Sequence, residues 1–99
     1  LAAIATFRGA GDAAQTDLAT ALGEYGNMLY NSGRLADAEP RLRESLAMLR
    51  RTSSAGPEQV ANVQNTLGMV REHGGDPVSA KVHYREALAI RAQLSGPLA

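Results

Sequence analysis

The chain has 99 residues, no cysteine, no tryptophan and a formal net charge of +0, which removes a disulfide framework, thiolate chemistry and the global basic field that non-specific nucleic-acid binding needs. Hydrophobic residues make up 44% and aromatic residues 4%, so the core is built from Ala and Leu, a composition that suits packed helices rather than strands. No apolar run approaches the roughly 20 residues of a membrane span, and Leu1 to Ile4 is too short for a signal-peptide core.

In chain order, the first predicted element is a short helix near 1–8, followed by a flexible joint at Gly9-Ala10-Gly11. A second helix is predicted over 13–32. Its packing stripe is Leu18, Leu22, Tyr25, Met28 and Leu29, recurring at three and four. Ser32-Gly33 ends it, because glycine reaches the left-handed conformation of a helix C-terminus. A third helix follows over 34–51, with Leu35, Ala38, Leu42, Ser45, Leu46 and Leu49 on one stripe. Pro40 lies past its first turn and removes a hydrogen bond to the carbonyl of Ala36. Gly56-Pro57-Glu58 opens a fourth helix over 57–73, with the acid near the positive end of the dipole. Gly74-Gly75 closes it. Asp76-Pro77 then supplies an N-cap and a first-turn proline for a fifth helix over 77–94. The fold class is all-α.

Sliding the chain over itself by 42 positions places Ala19 on Ala61, Gly26 on Gly68, Gly33 on Gly75 and Ala38 on Ala80. The run Arg43-Glu44-Ser45-Leu46-Ala47-Met48 then falls on Arg85-Glu86-Ala87-Leu88-Ala89-Ile90, and Leu42 on Tyr84. Shared positions are small or apolar, as expected where two helices touch. The same frame places Leu1 to Arg8 beneath Arg43 to Arg50. One domain over 1–99 results: 1–16 as the end of a preceding repeat and a linker, 17–56 as one repeat and 57–99 as the next.

Tyr25-Gly26, Gly33, Ala38, Leu42 and Ser45-Leu46, repeated as Leu67-Gly68, Gly75, Ala80, Tyr84 and Ala87-Leu88, resemble the tetratricopeptide repeat pattern. The period of 42, Ala38-Glu39-Pro40 and Asn65-Thr66-Leu67-Gly68 resemble its kinesin-light-chain-like subgroup. The resemblance implies a right-handed α-solenoid of antiparallel helix pairs. In it, the first helix of each repeat lines a concave groove that holds a protein or peptide. Two positions depart from the pattern: Gln64 and Arg71 stand where bulky apolar groups are common, so the fourth helix is expected to pack loosely.

The groove faces implied by this family carry Thr20, Gly23, Asn27, Tyr30 and Asn31, then Asn62, Asn65, Met69, Glu72 and His73. The residues expected to bind a partner are Thr20, Asn27, Tyr30, Asn31, Asn62, Asn65, Met69 and His73. Asn side chains offer both donor and acceptor to peptide amides, and Tyr30 and Met69 offer apolar contact. The bland alternative is a set of solvated polar helix faces. A clamp for a terminal carboxylate is not supported, since Gly23 occupies the position where that scheme has a Lys.

Other chemistry finds little footing. His73 and His83 lie ten apart, whereas ligand pairs on a helix are usually three or four apart, so no metal site is expected. Arg41, Arg43, Arg50 and Arg51 read as a solvated face and a helix terminus rather than a phosphate patch. No glycine-rich phosphate loop or nucleophile–base spacing is present, so neither catalysis nor a cofactor is expected.

The expected function is a scaffold that binds protein or peptide, without nucleic acid or membrane. A regulatory module governing an attached effector, or a purely structural repeat, are the competing readings. Uncovered Val82, Ile90 and Leu94 on the last helix, with Ile4 and Phe7 at the start, point to self-association through the solenoid ends. A cytoplasmic location is expected, as a fragment of something longer. Its Arg-for-Lys bias, with Lys81 the only Lys, suggests a bacterial source.

Overall fold

The computed structural model describes residues 2–52 and 56–95, with side chains described from Ala14 onward. The described residues form four helices: α1 (Ala2–Asn31), α2 (Leu35–Arg51), α3 (Pro57–His73) and α4 (Pro77–Ser95). None is long and apolar enough to cross a membrane.

The joint expected at Gly9-Ala10-Gly11 is not a break, because α1 runs unbroken from Ala2 to Asn31. Each glycine costs a helix interior only about 1 kcal/mol relative to Ala, and the surrounding Ala-rich sequence is the best helix former available. The expectation about Ile4 and Phe7 concerns side chains outside the described residues.

The two tight turns are built alike. Gly33 and Gly75 have φ of 79° and 87°. At the first turn the Gly33 N–H donates to the Tyr30 carbonyl at 2.9 Å and the Arg34 N–H to the Leu29 carbonyl at 2.8 Å. At the second, Gly75 donates to Glu72 at 3.1 Å and Asp76 to Arg71 at 2.8 Å. This pair of bonds satisfies helix-end carbonyls and reverses the chain. The following helices are started differently. Asp76 Oδ1 accepts from the Ser79 N–H at 3.2 Å, and the hydrogen bonds from the Ser79 side chain and backbone, with Arg71 nearby, hold the Asp76 carboxyl below its ordinary range. At α2 the first position before the helix is Arg34, whose Nε donates to Asp37 Oδ2 at 3.0 Å instead of capping the backbone. α2 continues through Pro40.

α1 packs along α2, α3 along α4, and α2 along α3, with a narrower approach of α1 to α3. Close approach depends on small residues. A Cβ on Gly26 would stand 2.6 Å from Leu42 Cγ, and one on Gly68 would stand 2.6 Å from Cε1 of Tyr84. Ala19, Ala38, Ala61, Ala80 and Ala87 are fully buried at the same contacts. Ser45 is buried without cost because its Oγ donates to the Ala19 carbonyl at 2.6 Å. Leu29, Leu42, Leu46, Leu49, Leu67 and Val70 complete the core.

Three of the five residues assigned to the packing stripe of the second predicted helix are solvent-exposed. Leu18, Tyr25 and Met28 are 53%, 47% and 55% exposed. The stripe that packs is Ala19, Leu22, Gly26 and Leu29, displaced around α1 by about one residue. Among the described residues α1 packs against α2 and, more narrowly, α3, and its apolar surface is wider than they cover. On α4 the exposed apolar residues are Val78, Val82, Leu88 and Leu94, with Ile90 partly covered.

The loose packing expected around Gln64 and Arg71 is not found. Gln64 is 1% exposed. Its Nε2 donates to Glu86 Oε2, its Oε1 lies 2.6 Å from His83 Nδ1, and Arg50 of α2 reaches the same Glu86 oxygen at 3.3 Å. The buried amide thus joins α3 to α4 and, through Glu86, to α2. Burial pushes the His83 pKa down, opposed by Glu86. Its neutral Nδ1–H tautomer is the one that donates to Gln64. Arg71, also partly buried, places Nε 2.6 Å from Glu39 Oε1 as an ion pair without a well-aligned hydrogen bond, and reaches Asp76 at 3.5 Å. The Gln64 amide is satisfied across helix boundaries, while Arg71 is held by charge pairing, its buried Nε lacking a hydrogen bond.

Candidate functional site: a cleft between the first and third helices

Small residues along α1, with a narrow approach of α1 to α3, leave an open cleft of about 380 Å³, floored by Leu42, Ser45 and Leu49 of α2. That volume falls in the usual range of roughly 300–1,000 Å³ for ligand sites. Gly23 keeps it open: a Cβ there would already stand 3.2 Å from Ser45 Oγ and 3.4 Å from Val63 Cγ2. A longer side chain would occupy the space a ligand needs.

Four of the eight predicted site residues, Thr20, Asn27, Asn62 and Asn65, line this cleft. Thr20 Oγ1 donates to the Thr16 carbonyl at 2.9 Å and accepts from Gln59 Nε2 at 3.3 Å. Gln59 also accepts the Gly56 N–H at 3.2 Å, so one side chain ties the start of α3 to α1. Asn62 Oδ1 accepts from Arg91 of α4 at 2.9 Å. Asn27 and Asn65 make no side-chain hydrogen bond among the described residues, and both face the cleft. Each retains one acceptor oxygen and two donor hydrogens.

Tyr30, Met69 and His73 form a separate cluster beyond the cleft. The Tyr30 hydroxyl lies 3.0 Å from His73 Nδ1, and the rings meet edge-on with centroids 5.4 Å apart. The same nitrogen lies 2.9 Å from the Met69 carbonyl oxygen. One tautomer donates to Met69; the other accepts from Tyr30. In either tautomer the edge-on ring contact joins α1 to α3, and the tautomer that accepts from Tyr30 adds a hydrogen bond between them. Asn31 is exposed and lies outside both groups.

Sequence reasoning missed Gln59, Glu24 and the cleft floor. Gln59 carries a readable signal, since it stands three residues after the Gly that precedes α3, where a side chain reaches back to the helix start. Glu24 carries none by periodicity alone. Among the described residues no group of three or more His, Cys, Asp or Glu is arranged to hold a metal ion.

Residues 17–93 match the family model described as tetratricopeptide repeat. Searches of curated proteins and of solved structures gave no significant match.

Proposed function

The chain belongs to the tetratricopeptide repeat family, and on that premise we propose that its cleft between α1 and α3 binds an extended peptide segment of a partner protein. The observation that carries the reading is the pair Asn27 and Asn65. Both amides face the cleft, and neither is committed to another side chain or to the backbone. An extended peptide presents N–H and C=O groups that need partners once desolvated. Two carboxamides on facing helices supply them irrespective of peptide sequence. Leu42, Leu49 and Val63 offer an apolar floor to side chains that point inward.

The finer classification is part of the same proposal. A repeat length of 42 is supported by the equivalent Gly33 and Gly75 turns and the matched Gly26–Leu42 and Gly68–Tyr84 contacts; membership in the kinesin-light-chain-like subgroup and a right-handed superhelix rest on the sequence resemblance. The repeat boundaries at 17–56 and 57–99, and an intracellular setting, belong to this reading too.

The test is direct. Peptides selected from a random library against the protein should bind Asn27→Ala/Asn65→Ala at least about tenfold more weakly, a loss of roughly 1.4 kcal/mol. Melting should be unchanged, because Asn27 is exposed, Asn65 is only partly covered and neither amide is bonded internally. Equal affinity for parent and variant contradicts the assignment.

A second reading, self-association, is favoured by the exposed apolar residues of α1 and α4. It predicts a sedimentation coefficient that rises with concentration and no longer does so in Leu94→Lys. A monomer at every concentration removes it.

A further inference from the structure

The charges of this net-neutral chain are sorted by helix. Between Ala14 and Asn31, α1 carries Asp17 and Glu24 and no cation. α3 carries Glu58 and Glu72 against Arg71, and Arg71 is engaged with Glu39 and Asp76 at a different surface. α2 and α4 hold the excess of Arg and Lys.

The ionised side chain among the cleft's lining residues is acidic. Glu24 lines the cleft, and no Lys or Arg does. Glu24 has no ion pair among the described residues, whereas Glu39, Glu44 and Glu86 on α2 and α4 are all paired. Asp17 stands two helical turns before Glu24 on the same face of α1, and Glu58 adjoins the lining residue Gln59. Arg91 of α4 reaches the lining from outside, donating its guanidinium to Asn62 Oδ1. Charges that line a cleft with low-dielectric walls focus their field into it.

We infer that the segment held in this cleft is a basic peptide, carrying Lys or Arg beside Glu24 and Asp17, with small apolar residues turned toward the Gly23 notch. The inference rests on the peptide-binding reading above and narrows it. An acidic peptide would meet unpaired like charge. A nucleic-acid strand meets the wrong sign altogether. An extended segment alternates its side chains, so cations outward at the rim and small groups inward at the floor are compatible with one backbone.

Two fluorescein-labelled peptide pools of equal length, one carrying lysines where the other carries glutamates, are titrated with the protein by fluorescence anisotropy. The lysine pool is expected to bind more tightly, and to weaken as salt rises because exposed charges are screened. Glu24→Gln is expected to weaken the lysine pool about two- to fivefold, the range of an exposed ion pair, and not to weaken the glutamate pool. Equal or tighter binding of the glutamate pool overturns the inference, as does an unchanged lysine-pool affinity in Glu24→Gln. If the pool that binds is still weakened by Asn27→Ala/Asn65→Ala, the cleft reading survives that failure. Binding of neither pool overturns both.

Discussion

Gly68→Leu is expected to lower the melting temperature by about 4–24 °C, since overpacking a close contact costs about 1–3 kcal/mol and each kcal/mol shifts a domain of this size by about 4–8 °C. Even the first carbon of the new side chain would stand 2.6, 2.7 and 3.0 Å from three ring atoms of Tyr84. The ring is not free to swing aside without loss, because its hydroxyl donates to Glu72 Oε1 at 3.3 Å. Burial and the adjacent Glu72 raise the Tyr84 pKa, so the phenol stays protonated and able to donate. α3 and α4 must separate, and Leu67, Ala80 and Ala87, all within 2% of full burial, lie along the same contact. Gly33→Ala is the control: φ is 79° there but nothing lies within 4 Å of the added carbon, so its cost is backbone strain of about 1 kcal/mol. A Gly68→Leu protein that melts with the parent contradicts the helix pairing.

The corresponding contact of the first pair gives a test with a change of sign. Leu42 is 1% exposed, and Leu42→Ala is expected to cost about 2–5 kcal/mol through the cavity it leaves. A Cβ on Gly26 would stand 2.6 Å from Leu42 Cγ and 2.8 Å from its Cδ2, so Gly26→Ala destabilises the parent protein. In the Leu42→Ala background the same methyl enters emptied space, and replacing a mid-helix glycine then stabilises by up to about 1 kcal/mol. Denaturant titration of the four proteins measures the coupling, expected within about 0.5–3 kcal/mol. Strict additivity would show that Gly26 and Leu42 do not touch.

Residues with strong local chemistry were legible in the sequence. Gly33 and Gly75 end helices through backbone conformation, Pro57 and Pro77 begin them, and α3 begins and ends at the residues predicted for it. The joint at Gly9-Ala10-Gly11 failed because glycine alone does not stop a helix; it needs a reversal of chain direction that the flanking residues support, as Arg34 and Asp76 do through their N–H groups. Leu18, Tyr25 and Met28 failed for a different reason. Periodicity groups residues on a face but does not say which of two adjacent apolar stripes finds a neighbour, and among the described residues α1 packs only against α2 and α3. Gln64 and Arg71 were misjudged because their partners, Glu86 and His83 for one and Glu39 for the other, come from different helices. Satisfaction of a buried amide is a tertiary fact, invisible in a single stripe.

The candidate site divides along the same line. Thr20, Asn27, Asn62 and Asn65 were reachable, since they lie on the polar faces left over once α1 and α3 commit their packing residues. The grouping of Tyr30 with His73 away from the cleft was not, because it depends on a contact between residues 43 apart in sequence. The acidic character of the cleft was hidden by a net charge of +0. A total cannot report how charge is distributed between faces.

The most direct measurement is nuclear magnetic resonance of isotope-labelled protein titrated with a peptide that it binds. Shift changes are expected to concentrate at the backbone amides of Gly23, Asn27, Asn62 and Asn65, with the side-chain amides of Asn27 and Asn65 moving with them. Shifts centred instead on Val78 and Leu88 of α4, with the two Asn side-chain amides unmoved, would contradict the assignment of binding to the cleft.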